Sequence, residues 1–353
     1  MLRNIITTVI PTYRRPKLLE RAIWSALSQK YPKVRVLVCD NASGDSTEQL
    51  VRNIASQDDR VQYHCQKENI GSYPNFNFGI SQVQTEFFSL LSDDDILTPD
   101  FYSGAMRAFN QFPDVSVVRM PTLVIDVDGN VISGPREVSA LRRYAAGEVF
   151  EPHIATPMPE AWTGLVFRTG IIKEIGSIDE QAGPFADGGF VMRAVARYPY
   201  AEVPGVGGIL MAHQNSTSGN LDIIGPEWRT WWERMIGAIE SDVSLRALVR
   251  RNVRKLAYPN LDRIALVQFY SALAASNIVK AQAVAAGLRR CDHLLYPLLM
   301  RILCRLIEYF PGAMRIIRKF HQDRKKKNQV NIQQLNSRYG YCLEFLRKFK
   351  STY

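Results

Sequence analysis

Apolar residues follow two rhythms along the first part of the chain. Ile5–Ile10 is a short β-branched run stopped by Pro11. Val34–Val38, Val61–Cys65, Phe87–Leu91 and Val115–Met120 are similar short runs, and each predicts a strand. Between them the spacing changes to three and four residues. Leu18, Leu19, Ala22, Ile23, Ala26 and Leu27 fall on one helical stripe within Lys17–Gln29, with Pro16 suited to the first turn. Asp45, with Glu48 three residues on, has the form of a capping box that opens a helix to about Ala55. Pro74–Val83 and Asp100–Phe112 are further helices, and Leu123–Asp126 and Val131–Ser133 flank the hairpin signal Asp128-Gly129. This alternation predicts an α/β fold, a mainly parallel sheet flanked by helices on both faces.

From about Glu227 the pattern is helical alone. Ile264–Val279 and Lys280–Leu288 read as two packed helices around a Ser276-Asn277 turn. Leu294–Ile307 is apolar but interrupted by Arg301 and Arg305. A basic helix reaches Phe320, Arg324-Lys325-Lys326-Lys327 follows, and Asn328–Ser337 is polar and expected to be poorly ordered. No segment is a clean run of the ~20 apolar residues that cross a membrane. The expected division is a domain over 1–225 and a C-terminal α-helical domain over 226–353.

Charge sharpens that division. Residues 226–353 hold 24 Lys and Arg against 9 Asp and Glu, a net +15, whereas residues 1–225 hold 20 against 25, a net −5. A basic region meets anionic lipid, phosphorylated substrate or nucleic acid, but no zinc finger, RRM signature or aromatic-basic repeat accompanies it, so a nucleic-acid partner is not expected. The five cysteines are odd in number and form no CxxC pair, which argues against a disulfide framework and suits a reducing cytoplasm. Met1–Pro11 has too short an apolar run for a signal peptide and reads as the first strand.

The chemistry concentrates where Phe87–Leu91 empties into Ser92-Asp93-Asp94-Asp95. Three adjacent carboxylates repel one another, and a buried unpaired carboxylate is costly. A hard divalent cation removes that cost, and the C-terminal end of a strand is where open α/β sheets bind ligands.

The order of motifs over roughly residues 5–218 resembles a family 2, GT-A-type glycosyltransferase. Val9-Ile10-Pro11-Thr12-Tyr13 resembles the family's strand-1 signature, with Arg14 where Asn is usual. The resemblance implies that Pro11, Thr12 and Tyr13 line the nucleotide. Leu37-Val38-Cys39-Asp40-Asn41-Ala42-Ser43 resembles the segment whose Asp accepts a hydrogen bond from uracil, which would be Asp40. Asn69-Ile70-Gly71 through Asn77-Phe78-Gly79 is similar to the family's N-x-G-x-x-x-x-x-N-x-G pattern and implies Asn69, Gly71 and Asn77 in the same binding site. The triplet takes the place of the DxD motif in one of two registers. Asp94 is then the main metal ligand, Asp93 contacts ribose or a metal-bound water, and Asp95 is a ligand or supports one. The implied cation is Mg²⁺ or Mn²⁺.

Ala161 to Arg168 resembles the segment leading to the acceptor side, and puts Trp162 and Gly164 there. Twenty-three residues past Gly164, Asp187 keeps the second acid of the family's Glu-Asp pair while Ala186 replaces the first. Asp187 is thereby the implied catalytic base, with helix capping as the alternative role for an Asp before Phe190–Arg197. His213 stands where many relatives carry a histidine near metal and diphosphate. Pro135–Pro159, with Arg136, Arg142, Arg143 and His153, is expected to form a lid or acceptor loop.

The resemblance thus implies metal-dependent, inverting transfer of a hexosyl or deoxyhexosyl group from a UDP- or dTDP-linked sugar. The acceptor would be a hydroxyl on a glycan or lipid-linked glycan, as in O-antigen or other surface-polysaccharide synthesis. Arginines among the apolar residues of Leu294–Phe310 and Ala313–Phe320 give the expectation of peripheral contact with an anionic membrane, at the inner face of the plasma membrane. Two alternatives remain. A nucleotidylyltransferase would need a Gly-rich basic loop after strand 1, and Pro11-Thr12-Tyr13-Arg14-Arg15 has no glycine. A non-catalytic nucleotide- or glycan-binding scaffold draws on the departures at Ser92 and Ala186.

Overall fold

A computed structural model describes residues 2–135, 137–151, 162–213, 228–274, 277–287, 300, 302 and 331–347. In chain order, β1 (Leu2–Thr12), α1 (Pro16–Leu27), β2 (Val34–Asp40), α2 (Thr47–Gln57), β3 (Val61–Cys65), α3 (Ser72–Ser81) and β4 (Thr85–Leu90) alternate as the pattern predicts. A short β5 (Ile96–Leu97), α4 (Phe101–Gln111), β6 (Val117–Arg119), β7 (Thr122–Ile125), β8 (Val131–Ser133) and β9 (Arg142–Tyr144) follow. Next come β10 (Leu165–Arg168), α5 (Ile172–Ile175), α6 (Ala186–Arg197), β11 (Tyr200–Glu202) and β12 (Gly208–Met211). The helical part comprises α7 (Trp228–Glu240), α8 (Ala247–Ala274), α9 (Ile278–Gly287) and α10 (Gly340–Arg347).

The main sheet has eight strands in the order β3-β2-β1-β4-β10-β6-β11-β9. Strands β3, β2, β1 and β4 are mutually parallel, and β10 and β9 run against their neighbours. Alternation along the strands sorts the core onto two faces. Ile6, Ile10, Val36, Val38, Phe87 and Leu91 pack with α1, α2 and α4 on one face. Val9, Leu37, Cys39, Phe88 and Leu90 pack with α3 and α6 on the other, and Trp232, Ile236, Val249, Val253 and Phe269 from α7 and α8 join that cluster. Gly79 lets α3 lie directly on β1, since a Cβ there would stand 2.4 Å from Val9 Cγ1.

Several local expectations change. The hairpin β7–β8 belongs to a separate four-stranded sheet, ordered β5-β12-β7-β8, because β12 inserts beside β7 from far along the chain. Glu48 pairs with Arg52 instead of closing a capping box, and Asp45 Oδ1 accepts from the Thr47 N–H and hydroxyl. Arg142 and Arg143 are not in a free lid. They lie in β9, an edge strand paired with β11, and Arg143 binds Asp114; Arg136 and His153 lie outside the described residues. The first of the two expected C-terminal helices starts earlier, at Ala247. The basic helices over Leu294–Phe320 and the Arg324–Lys327 run are outside the described residues except at 300 and 302. Within the segment Asn328–Ser337, expected to be poorly ordered, residues 331–337 are helical. Leu335, Tyr339, Cys342 and Leu346 cover the small sheet, in contact with the cluster of Leu123, Ile125, Val131, Ile209 and Met211. Asn336 seals the junction, accepting from the Val131 N–H at 2.7 Å. Among the described residues no helix is long and apolar enough to cross a membrane.

Candidate active site

The C-terminal ends of β1, β2 and β4 deliver Thr12, Asp40 and Asp93–Asp95 to one edge of the main sheet, the edge at which such sheets bind ligands. Asp93 and Asp95 are buried, and Asp94 is nearly so. Each acid has a different set of partners. Asp93 Oδ2 accepts from the Thr12 hydroxyl at 2.8 Å. Asp95 uses both oxygens inward, Oδ2 on the Thr163 hydroxyl at 2.7 Å and Oδ1 on the Met211 N–H at 3.2 Å. Asp94 Oδ2 faces His213 Nε2 at 3.0 Å, across 119 positions of sequence. The structure therefore brings His213 to the triplet, as a residue just past β12. Burial, with the charge of Asp94 second, pushes Asp93 up to about 6, against the opposing pull of Arg15 and Thr12. The same two causes hold Asp95 well above the usual carboxylate range.

Arg15 was not singled out by the sequence. Its Nη1 donates to Asp93 Oδ1 and to Asp94 Oδ2, each at 3.2 Å. The available signal was that the acidic triplet needs a cation and that Arg15 shares a loop with Thr12. Arg14, at the position where the family has Asn, sits at φ +55, a left-handed conformation that Asn tolerates better than Arg. Its N–H donates to Ser43 Oγ and its Nε to the Ser43 carbonyl, which hold it there. Tyr13 is partly exposed beneath the Arg14 guanidinium, 5.0 Å from its ring centroid.

Asp40 is buried and heavily used. Oδ1 accepts from the Ser43 N–H and hydroxyl, and Oδ2 from the Tyr63 hydroxyl at 2.7 Å. The Cys65 thiol also donates weakly to Oδ2, at 3.9 Å. A carboxylate offers about four acceptor positions, so a ligand N–H reaches Asp40 by displacing that thiol, the weakest of its donors. Asn41 ties the next loop down, its amide donating to Asn69 Oδ1 and the Gly71 carbonyl and accepting from the Ile70 N–H. Asn69 thereby serves the loop, and Gly71 takes the positive φ of +93 that the turn into α3 needs. Asn75 anchors α3 to β2 through the Cys39 carbonyl. Asn77 faces the other way: its amide pairs with the N–H and carbonyl of Ile178, at 2.8 and 2.9 Å, joining α3 to the segment before α6.

On the acceptor side, Trp162 is buried with its ring 4.2 Å from Phe76, and its indole N–H makes a long contact to Ser92 Oγ at 3.5 Å. Gly164 is at φ +87, where a Cβ would stand 2.6 Å from the Met120 carbonyl oxygen; its observed role is close packing. Asp187 lies in the first turn of α6, with Phe185 rather than Asp187 at the N-cap. Burial raises its pKa to about 6, against a hydrogen bond from the Gly188 N–H. Its charge helps raise the Tyr73 hydroxyl at the start of α3, after burial as the larger cause. One turn along α3 from Tyr73, Phe76 meets Trp162, whose indole N–H faces Ser92 beside the triplet.

A divalent cation fits the donor set in a limited way. Asp94 and His213 converge through one contact, and Asp95 is spent on Thr163 and Met211. Among the described residues no three His, Cys, Asp or Glu side chains are grouped to hold a metal. Two protein ligands completed by phosphate oxygens is nevertheless a usual way for such ions to bind.

Residues 7–154 match the profile of glycosyl transferase family 2. This part of the chain is a family 2 glycosyltransferase domain. Over 107 residues the chain is 35% identical to a GalNAc(5)-diNAcBac-PP-undecaprenol beta-1,3-glucosyltransferase of Campylobacter jejuni, covering 30% of this chain and 35% of that one. Over 130 residues it is 28% identical to a chondroitin synthase of Escherichia coli, covering 36% of this chain and 19% of the synthase. The chain thus spans only about a third or less of these curated relatives. In three dimensions it is similar to S. aureus TarS 1–349 in complex with UDP-GlcNAc, with a TM-score of 0.62 at 14% identity, covering 90% of this chain and 92% of that one. That likeness is one of fold, a GT-A-like α/β sheet flanked by helices. Asp187 and His213 lie beyond the family match, and their case is geometric.

Proposed function

We propose that the chain is an inverting, metal-assisted glycosyltransferase that moves a hexosyl or deoxyhexosyl group from a UDP- or dTDP-linked sugar to an acceptor hydroxyl. The observation that carries the reading is the convergence of Asp94 and His213 beside Thr12 and Asp40, with a carboxylate raised to about 6, Asp187, across Trp162 and Tyr73. Pro11, Thr12, Tyr13, Asp40, Asn69 and Gly71 form the nucleotide side. Tyr13 offers a flat face to the base, and Asp40 Oδ2 suits an imide N–H that displaces the weakly bound Cys65 thiol. Asn77 contributes by holding the Ile178 segment against α3. Asp93 orients the loop through Thr12, and Asp95 fixes the strand that leads to His213.

Asp94 and His213 would hold the cation; when bound it offsets charge on the departing diphosphate as a Lewis acid. Asp187 takes the proton from the acceptor hydroxyl as that oxygen attacks the anomeric carbon and the nucleoside diphosphate leaves from the opposite face. A base with a pKa near 6 is ionised at neutral pH, yet still basic enough to accept that proton. No covalent intermediate is needed. Trp162 and Gly164 shape the acceptor wall.

The undecaprenol-linked substrate named for the Campylobacter relative supports a lipid-linked glycan as acceptor. With the net +15 of residues 226–353, it also supports peripheral attachment to the cytoplasmic face of an anionic membrane, and a division of labour near residue 225. The test is release of nucleoside diphosphate from a panel of UDP- and dTDP-sugars with Mn²⁺, with and without undecaprenyl-linked oligosaccharides. Release that one donor supports and an acceptor accelerates is the expected result. Tight nucleotide binding with no turnover of any donor would return the chain to a binding scaffold.

A further inference from the structure

We infer that Arg15 is a built-in counter-cation that makes divalent-cation binding at Asp94 depend on the donor's diphosphate. The inference rests on the metal reading of the site. Its basis is the identity of one atom. Asp94 Oδ2 lies 3.2 Å from Arg15 Nη1 and 3.0 Å from His213 Nε2. A cation bridging His213 Nε2 and this oxygen would share it with a guanidinium, and the two positive charges would oppose each other.

The same nitrogen also serves Asp93 Oδ1, whose other oxygen is taken by Thr12, so one side chain neutralises two nearly buried acids. The backbone around Arg15 is fixed on both sides. Arg14 is pinned to Ser43, and Pro16 begins α1. The Arg15 side chain is 30% exposed, against 8% for Asp93 and 11% for Asp94, so it is the partner on the solvent side. A diphosphate reaching this edge offers the planar guanidinium pairs of phosphate oxygens and a higher charge than one carboxylate. Its departure clears Asp94 Oδ2 for the cation, and the phosphate oxygens supply further ligands. Arg15 then stays on the diphosphate and stabilises the charge that develops as the nucleotide leaves. In the absence of nucleotide, free Mn²⁺ meets a carboxylate already paired.

The test is Mn²⁺ binding to the full chain, followed by the electron paramagnetic resonance signal of the free ion, for wild type, Arg15→Gln and Arg15→Lys. Each protein is titrated with and without UDP, with circular dichroism and melting curves as folding controls. In wild type, UDP tightens Mn²⁺ binding by at least about fivefold. Arg15→Gln binds Mn²⁺ alone at least about fivefold more tightly than wild type and loses most of the UDP dependence. Arg15→Lys keeps Mn²⁺ binding without UDP as weak as in wild type, because both carboxylate contacts come from a single nitrogen that a point cation replaces. Equal or weaker Mn²⁺ affinity in Arg15→Gln without UDP overturns the inference, weaker binding with a lowered melting point being the mark of a structural role. If UDP still recruits Mn²⁺ in that case, the metal reading stands. No Mn²⁺ binding by any of the three proteins, with or without UDP, overturns both.

Discussion

Replacing Asp187 by Asn removes the charge and the basicity of one carboxylate while keeping its shape, and it separates catalysis from stability. The carboxyl ionises near 3.8 in an unfolded chain and near 6 when folded, because burial disfavours its charged form. Below about pH 4 both states hold the proton and the group costs nothing. As pH rises through about 6 the folded state is left with an ionised buried carboxylate, and stability is lost. At ~1.4 kcal/mol for each pH unit between the two ionisations, the ceiling is about 3 kcal/mol, and partial exposure of the side chain brings the effect nearer 1–2 kcal/mol. Asp187→Asn should therefore match wild type in denaturant unfolding near pH 4 and exceed it above pH 6. Transfer moves the other way. Loss of a general base costs about 10²–10⁴ in kcat. In wild type kcat/KM should fall on the acid side with a midpoint near 6, and the residual rate of the variant should be flat there. Unimpaired transfer by Asp187→Asn would refute the base assignment. A variant no more stable at pH 8 than wild type would refute the electrostatic account of the site.

Other perturbations test other parts. Gly164→Ala puts a Cβ 2.6 Å from the Met120 carbonyl at a positive φ, and should cost about 2–4 kcal/mol in denaturant unfolding. Asn77→Ala removes both hydrogen bonds to the Ile178 backbone and should cost about 2 kcal/mol, with a larger fall in kcat than in nucleotide affinity, since it loosens the approach to α6. Leu346→Ala opens a cavity between α10 and the small sheet. It should lower stability by about 2–4 kcal/mol and weaken Mn²⁺-dependent nucleotide binding, because Met211 in that sheet leads directly to His213.

What could be read in advance follows from the range of the interactions. The alternation of strand and helix through β4 depends on local periodicity, and the acidic triplet at the end of β4 is a local feature, so both were legible. His213 could be named because motif order carries it, although only the fold shows Asp94 Oδ2 as its neighbour. The small sheet was not legible, since β5 has two residues and β12 joins β7 across some eighty positions. The docking of residues 331–347 depends on apolar residues scattered from Leu335 to Leu346, whose partner surface exists only once that sheet forms. Asn77 shows the same long-range dependence: its motif sits beside the nucleotide loop, but its amide points to Ile178, 101 positions away. Arg15 was hidden because the visible departure from the family pattern is its neighbour Arg14, and the acids that Arg15 serves lie 78 and 79 positions on.

The most direct test of the account is calorimetric titration of the full chain with UDP and dTDP, with Mn²⁺ and with EDTA, for wild type and Asp94→Ala. The account predicts that one nucleotide binds wild type in the presence of Mn²⁺, and that EDTA or Asp94→Ala weakens that binding by at least about tenfold while the variant remains folded. Binding of equal strength in all of these conditions would remove the cation and Asp94 from the mechanism, and no binding by folded wild-type protein would contradict nucleotide-sugar transfer itself.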